Sequence, residues 1–301
     1  MSYARTFQVL ACEISLATGC DELADRLDYV TVDAVQQYVP TRRVVYDVER
    51  TDDSYVVRED GDVWCRAGSA DEAVIGLYRR MHAAVYREMA GCPRLHAACG
   101  AYQGQVFLAA GPKGAGKSTL MTRLFFDGFD VFGDEMVLGV GHEVIALPRR
   151  FHLKSPRPDL LPEVAAIADR LPFVIGDAGV KILAFAPTDA GRPWTIRAGT
   201  PSTIFFLEPN HSGPTTIEPC SRVEMTRRLM TQSMLDGDGA AWIRSIGTLV
   251  RRANCYSLRT GTLSTAASLM KQALGTGAAA SRVSRTHDDY QETHDRSQTG
   301  L

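Results

Sequence analysis

Residues 111–119 read Gly-Pro-Lys-Gly-Ala-Gly-Lys-Ser-Thr, and this stretch decides most of the predicted fold. It matches the phosphate-binding loop pattern G-x-x-x-x-G-K-[ST], the Walker A motif. Its glycines let consecutive backbone N–H groups turn toward a polyphosphate, because no Cβ stands in the way. Lys117 supplies a positive charge for the β and γ phosphates, and Ser118 offers a hydroxyl to Mg²⁺. The predicted nucleotide contacts are Gly111, Pro112, Lys113, Gly114, Ala115, Gly116, Lys117, Ser118 and Thr119.

The segments on either side of the loop have the character that such a motif requires. Gln105–Ala110 is a short apolar run, typical of a buried strand. Residues 118–126 contain neither Gly nor Pro, which favours a helix whose positive end points at the bound anion. Strand, glycine-rich loop and helix in this order predict an α/β fold with a P-loop core.

Two adjacent carboxylates follow the next apolar run. Val131-Phe132 reads as a short strand, and Asp134 and Glu135 come soon after it. In an α/β sheet, the ends of strands beside the phosphate loop form the ligand crevice. There, one carboxylate can orient Mg²⁺ or its waters, and the other can take a proton from an attacking hydroxyl. The alternative is a solvated Asp-Glu turn, and the position at the end of a strand favours the functional interpretation.

Four more residues are candidates for the same site. His96 lies on an apolar segment just before the strand that leads into the loop, so it is either a buried core residue or part of the site. Arg149, Arg150 and Lys154 follow further along the chain. They are either surface charges or contacts for phosphates and an acidic substrate.

Residues 1–90 predict an α+β subdomain. Asp60-Gly61 between two strand-like runs is typical of a β-hairpin. Ser69 is a good helix N-cap, and Glu72 completes a capping box for a helix that runs to about Met89. The expected buried stripe of that helix is Val74, Leu77, Tyr78, Met81 and Val85.

Residues 91–275 form the expected second domain, which holds the loop and the acidic pair. A capping box from Ser221 to Glu224 opens a helix expected to continue to about Met234. In this domain, strands are predicted at 180–185, 194–196 and 203–207, a hairpin through 141–142 and a last helix at 264–274. One more strand is predicted in the first domain, at 43–48. The tail 276–301 has few large apolar side chains, and we expect it to be disordered.

Bulk composition excludes several classes of function. The chain has 301 residues, of which 45% are apolar and 23% charged, as in a globular protein with a substantial core. The net charge of −2 offers no basic field for nucleic acid. No apolar run is long enough to span a bilayer, and the N-terminus lacks a signal-peptide core, so we expect no membrane partner and a cytoplasmic location. The seven cysteines contain no C-x-x-C pair, which argues against a disulfide framework and a structural metal.

These pieces together resemble the HPr kinase/phosphorylase family, whose P-loop core is also similar to that of phosphoenolpyruvate carboxykinases. The resembling stretches are 95–98, 111–119, 133–135, 148–154, 217–224, 228–230 and 255–259. The resemblance implies an α/β fold with an HPr-kinase-like catalytic domain at 91–275 on a mixed sheet, and a homo-oligomer. In that family the loop binds ATP and Mg²⁺, and the acidic pair supplies a base for a serine hydroxyl. Carried over, Asp134 is the base, Glu135 a metal or supporting residue and His96 a neighbour of the metal and phosphates.

Two departures from the family pattern bear on the phosphoryl acceptor. The bifunctional HPr enzymes carry two aspartates where this chain has Asp134 and Glu135, and their later glycine-rich signature has no counterpart here. The resemblance is closer to the HPr-kinase-like proteins of lasso-peptide gene clusters, which phosphorylate a serine of a precursor peptide. We therefore expect an ATP- and Mg²⁺-dependent kinase acting on a peptide or small protein. A kinase of small hydroxy compounds and a non-enzymatic, nucleotide-dependent binding module are the alternatives.

Overall fold

A five-stranded sheet with two helices forms the N-terminal part of the fold. The computed structural model describes residues 3–154, 158–176, 179–210, 213–234 and 239–275. The first elements are β1 (Tyr3–Val9), β2 (Cys12–Thr18), α1 (Asp21–Leu27), β3 (Val35–Gln36), β4 (Arg42–Arg50), β5 (Tyr55–Glu59), β6 (Asp62–Ala67) and α2 (Ala70–Glu88). The sheet order is β1-β2-β4-β5-β6, in which only β2 and β4 pair in parallel.

Local signals in this part produce the predicted elements. The β5–β6 hairpin turns at Asp60 and Gly61, which both have positive φ, 52° and 91°, as the favoured two-residue hairpin turn requires. The Ser69 hydroxyl accepts a hydrogen bond from the Glu72 backbone N–H and so caps α2. The helix then buries Val74, Leu77, Met81 and Val85, as their spacing predicts.

The remaining elements build a mixed sheet and several small sheets around it. They are β7 (Arg94–Leu95), β8 (Ala97–Tyr102), β9 (Gln105–Ala110), α3 (Lys117–Phe126), β10 (Asp130–Gly133), β11 (Val137–Val140), β12 (Glu143–Ala146), β13 (Phe151–Lys154), α4 (Pro162–Ala165), β14 (Phe173–Ile175), β15 (Lys181–Phe185), β16 (Thr195–Ile196), β17 (Thr203–Pro209), β18 (Thr216–Pro219), α5 (Arg222–Met230), β19 (Ser233–Met234), α6 (Gly239–Arg252), β20 (Asn254–Thr260) and α7 (263–275).

The central sheet has the order β10-β8-β9-β17-β20-β18. Its middle strands β9, β17 and β20 are mutually parallel, whereas β8, β10 and β18 add antiparallel pairings. Phe107 and Leu108 on β9, and Phe205 and Leu207 on β17, are completely buried. The prediction of a mixed α/β fold is confirmed.

The directions of the strands bring three chain segments to the same end of this sheet. Ala97, at the start of β8, pairs with Ala110, at the end of β9. Because β8 is antiparallel to both β9 and β10, the strands β9 and β10 run in the same direction. Gly133, at the end of β10, pairs with Cys99, which lies at the same end of the sheet as Ala97 and Ala110. His96, the phosphate loop and the acidic pair therefore start from neighbouring points.

Three small sheets complete the part of the chain that the structure describes. β12-β11-β7-β19 and β13-β15-β14 are antiparallel, and the first contains the predicted hairpin through 141–142. The parallel pair β3–β16 joins the N-terminal part to the rest of the chain. No helix in the described ranges is both long and apolar enough to cross a membrane.

Two helices after β18 differ from the sequence prediction. The helix opened by Ser221 ends at Met230, and Ser233–Met234 instead forms β19, because the backbone there pairs with β7. Helix α6 was not predicted, although the spacing of Trp242, Ile246 and Leu249, all buried, is the apolar periodicity of a helix. The domain boundaries remain predictions, and the tail 276–301 lies outside the described residues.

Candidate functional site

The glycine-rich loop connects β9 directly to α3. Gly116 is the N-cap of the helix in the left-handed region, with φ of 86°, and Gly114 has the same φ, so both positions favour glycine. Gly111 is required for a different reason, lack of space, because an added Cβ would lie 2.9 Å from the Leu207 carbonyl oxygen. Pro112 is exposed, together with Lys113 and Gly114, whereas Ala115 is buried.

Lys117 lies over this loop. Its Nζ donates to the Gly111 carbonyl oxygen at 2.7 Å and to the Pro112 carbonyl oxygen at 3.2 Å. Burial lowers the pKa of Lys117 to about 8, although the negative charges of Asp134 and Glu135 oppose this shift. Ser118 and Thr119, half-buried, occupy the first turn of α3, where backbone N–H groups lack helical acceptors.

Asp134, directly after β10, is the more buried of the two acidic residues. Its residue is 1% exposed, and both carboxylate oxygens accept from Arg149, Oδ1 from Nε at 3.0 Å and Oδ2 from Nη2 at 3.1 Å. The Ser118 side chain lies close enough to Asp134 to influence the pKa of its carboxyl. Burial raises the pKa of the Asp134 carboxyl, and the Arg149 guanidinium and Ser118 hydroxyl offset only part of that rise.

Glu135 is the more accessible carboxylate. Its side chain is 41% exposed, and its Oε2 lies 2.5 Å from Arg149 Nη1 and accepts from the Tyr78 hydroxyl at 3.1 Å. Burial acts to raise the pKa of Glu135, but the Arg149 guanidinium and the Tyr78 hydroxyl, with two nearby histidines, hold the pKa below its usual range. Glu135 is therefore ionised at neutral pH.

His96 lies beside these groups, at the entrance to β8. Its backbone N–H donates to the Gln232 carbonyl oxygen at 2.8 Å. Burial lowers the pKa of His96, and the Lys117 charge lowers it further, while Glu135 acts in the opposite direction. A neutral imidazole at this position can accept or donate a hydrogen bond.

The three basic residues predicted for the site have different positions in the structure. The Arg149 side chain lies between Asp134 and Glu135 and is thus part of the site. Arg150 turns away and donates from Nη1 to both Asp189 carboxylate oxygens, at 3.0 and 2.8 Å. Lys154 is exposed at the end of β13.

Sequence reasoning missed the aromatic groups that the N-terminal part adds to the site. Tyr78, on α2, accepts from Arg149 Nη1 at 2.8 Å and donates to Glu135. Arg149 Nη1 also lies 2.9 Å from Nδ1 of His152, whose ring stacks on Tyr29 at 4.5 Å. Tyr78 was predicted only as a buried position of its helix, because nothing local indicates a contact 57 residues away.

The site offers oxygen donors of the kind that Mg²⁺ prefers. The Ser118 hydroxyl lies near the Asp134 carboxylate, and Glu135 is the next residue. Within the described ranges no group of three or more His, Cys, Asp or Glu residues could hold a metal ion by itself. A nucleotide-bound Mg²⁺ needs no such cage, because it takes one or two protein ligands plus phosphates and water. These residues therefore fit a nucleotide-bound Mg²⁺.

Among known proteins, similarity to this chain is found at the level of solved structures. No protein-family model and no curated protein matches the chain. Among solved structures, the chain is similar to the Hpr(Ser) kinase/phosphatase from Coxiella burnetii, with 14% sequence identity and a TM-score of 0.23, over 52% of this chain and 93% of that chain. Because the TM-score is low, this likeness carries no argument, and the function is argued from the chain's own site.

Proposed function

We propose that this protein is an ATP- and Mg²⁺-dependent kinase that transfers the γ-phosphoryl group to a serine hydroxyl of a peptide or small protein. The observation that carries the proposal is that the acidic pair follows β10 at the same end of the sheet as the phosphate loop, where the charges of Asp134 and Glu135 act on Lys117. A phosphate loop binds nucleotide without chemistry in many proteins, whereas a second carboxylate at the loop supports phosphoryl transfer.

Each of the site's residues has a task in this reaction. The backbone N–H groups of residues 111–119 cradle the phosphates, and Lys117 stabilises the charge on the γ-phosphoryl group. Bound Mg²⁺ supplies further neutralisation of the phosphate charge. Ser118 and Asp134 would hold this ion, directly or through water. Lys117, with its pKa near 8, gains stabilisation of its charged form from a bound polyphosphate.

Burial and contacts support Glu135 as the proton acceptor. The resemblance implied Asp134 as the base and Glu135 as the metal or supporting residue. Both Asp134 oxygens are held by Arg149 in a buried position, whereas the Glu135 side chain reaches solvent, from which a serine must approach. We therefore assign proton transfer to Glu135 and metal positioning to Asp134, with the opposite assignment as the competing one.

Phosphoryl transfer from γ-labelled ATP tests the proposal. Wild type and Lys117→Ala are compared with Mg²⁺, using serine-containing peptides encoded beside the gene and a panel of hydroxy metabolites as acceptors. Label on a peptide serine that is lost in Lys117→Ala is the expected result. Label on a metabolite would replace the peptide acceptor with a small molecule, and tight ATP binding without any transfer would contradict the kinase.

A further inference from the structure

Helix α2 of the N-terminal part reaches the acidic pair. The Tyr78 hydroxyl donates to Glu135 Oε2 at 3.1 Å and accepts from Arg149 Nη1 at 2.8 Å. One hydroxyl thus uses its proton on the carboxylate and a lone pair on the guanidinium. The N-terminal part, to which no motif gives a role, supplies a direct contact to the group proposed to accept the proton.

The Tyr78 ring is held firmly enough to fix that hydroxyl. It packs edge-on against His82, with ring centroids 4.2 Å apart, and lies 5.0 Å from the His152 ring. Burial raises the pKa of Tyr78 well above its usual range, so the phenol keeps its proton and stays a donor to Glu135.

His152 supports the same arrangement from the other side of Arg149. A guanidinium only donates hydrogen bonds, so His152 Nδ1 accepts from Arg149 and the ring proton is on Nε2. Burial lowers the pKa of His152 well below its usual range, which keeps the ring neutral. Tyr29 stacks on this ring at 4.5 Å, so a second N-terminal tyrosine fixes the position of Arg149 through His152.

Without the Tyr78 hydroxyl, the Glu135 carboxylate would be held only by Arg149, which it shares with Asp134. Arg149 uses Nε and Nη2 for Asp134, and its Nη1 donates to Tyr78 and His152. Its contact with Glu135 is therefore an ion pair without a free N–H group to fix the carboxylate. The Glu135 side chain is 41% exposed and can therefore turn into solvent when one of its contacts is lost. A base must lie within hydrogen-bond reach of its substrate proton, so such movement slows transfer without affecting nucleotide binding.

We propose that Tyr78 is a positioning residue, whose hydroxyl holds the Glu135 carboxylate in place for proton transfer and makes helix α2 part of the active site. This inference rests on the proposed kinase function with Glu135 as the proton acceptor. It assigns the N-terminal part a place in catalysis instead of a separate binding role.

Tyr78→Phe removes only the hydroxyl and keeps the ring packing. We expect kcat for phosphoryl transfer to fall about tenfold to a hundredfold, the value of one hydrogen bond to a charged group. KM and Kd for ATP stay within about twofold of wild type, because Tyr78 does not contact the loop in the structure. Tyr86→Phe is the matched control, since Tyr86 lies two turns further along α2 and packs on Arg94 at 4.6 Å, and its kcat stays at the wild-type value.

A second measurement keeps the proposal testable independently of turnover. Amide hydrogen exchange of residues 133–137 and 149–152 is expected to be faster in Tyr78→Phe and unchanged in Tyr86→Phe. Wild-type kcat in Tyr78→Phe, with Lys117→Ala inactive, would overturn the positioning role and leave the kinase intact. A wild-type protein that transfers phosphate to no acceptor would overturn the proposed function, and unchanged exchange in Tyr78→Phe would then remove the positioning contact as well.

Discussion

Arg149 balances the charges of the site at the scale of single residues. It is 7% exposed, and its guanidinium contacts both carboxylates of the acidic pair. Burial acts to lower the pKa of Arg149, but Asp134, Tyr78 and Glu135 more than compensate and raise it well above its usual range. The two carboxylates differ because Asp134 shares two hydrogen bonds with this cation in the interior, whereas Glu135 is partly in solvent.

The paired variants Asp134→Asn and Glu135→Gln separate structure from chemistry. Asp134→Asn leaves Arg149 buried without its bidentate partner, so we expect the free energy of unfolding to fall by about 3–5 kcal/mol. Glu135→Gln, whose ion pair is screened by solvent, should lose less than about 1 kcal/mol and keep ATP binding. Its phosphoryl transfer should fall by about 10²–10⁴-fold.

Urea denaturation, ATP binding and transfer of labelled phosphate measure these three quantities. Near-normal transfer by Glu135→Gln, with a folded Asp134→Asn that binds ATP and Mg²⁺ but transfers nothing, would assign the base to Asp134 instead.

At the scale of elements, Arg150 ties two distant segments together. It donates to both oxygens of Asp189, in the 3-10 turn Pro187–Ala190, and to the Thr31 carbonyl oxygen at 3.3 Å. Asp33 lies 3.4 Å from its Nη2 but is 46% exposed. Because Asp189 also accepts from the Ala186 backbone N–H at 2.7 Å, it holds the turn and the arginine together.

The unequal partners of Arg150 give a matched pair of stability variants. Asp189→Ala leaves a buried guanidinium without the carboxylate that accepts both Nη1 hydrogen bonds, so we expect a loss of about 3 kcal/mol in the free energy of unfolding. Asp33→Ala removes a single solvent-screened contact and should cost less than about 1 kcal/mol. Equal midpoints of urea denaturation for the two variants would contradict the conclusion that Asp189, and not Asp33, is the main partner of Arg150.

At the scale of the whole molecule, the N-terminal part and the sheet that carries the loop share one interior. The pair β3–β16, the Arg150 contacts and the Tyr78–Tyr29–His152 packing all cross between them. His82 is buried in this packing, next to Tyr78. Burial lowers the pKa of His82 to about 3, with the Arg149 charge acting in the same direction.

This buried histidine predicts loss of stability in acid. The unfolded chain binds a proton at His82 below about pH 6.5, whereas the folded chain does so only near pH 3, so stability present above pH 6.5 is lost as the pH falls between these values. Between pH 7.5 and pH 5 the contribution of His82 should decrease by about 2 kcal/mol. Urea denaturation of wild type and His82→Phe at both pH values measures it, and parallel losses in the two proteins would contradict the assignment.

The loop and the elements around it were predictable because their causes are local. β9 begins and ends at the predicted residues, and α3 begins one residue early, at Lys117. Fixed spacing of glycines, lysine and serine along the chain imposes the turn and the helix start, whatever the rest of the molecule does. The caps at Ser69 and Ser221 were predictable for the same reason, although the end of α5 was not, because a strand partner from β7 determines it.

The sequence by itself determined the phosphate loop, its strand and helix, and the acidic pair that follows the next strand. Only the tertiary structure decided what surrounds them: Arg149 enters the site and the adjacent Arg150 leaves it, because their carboxylate partners Asp134 and Asp189 lie on different segments. The same holds for Tyr78, whose contact with Glu135 depends on how helix α2 packs across a sheet built from distant segments. Burial and long-range packing set these partners, and neither is encoded in any short stretch of residues.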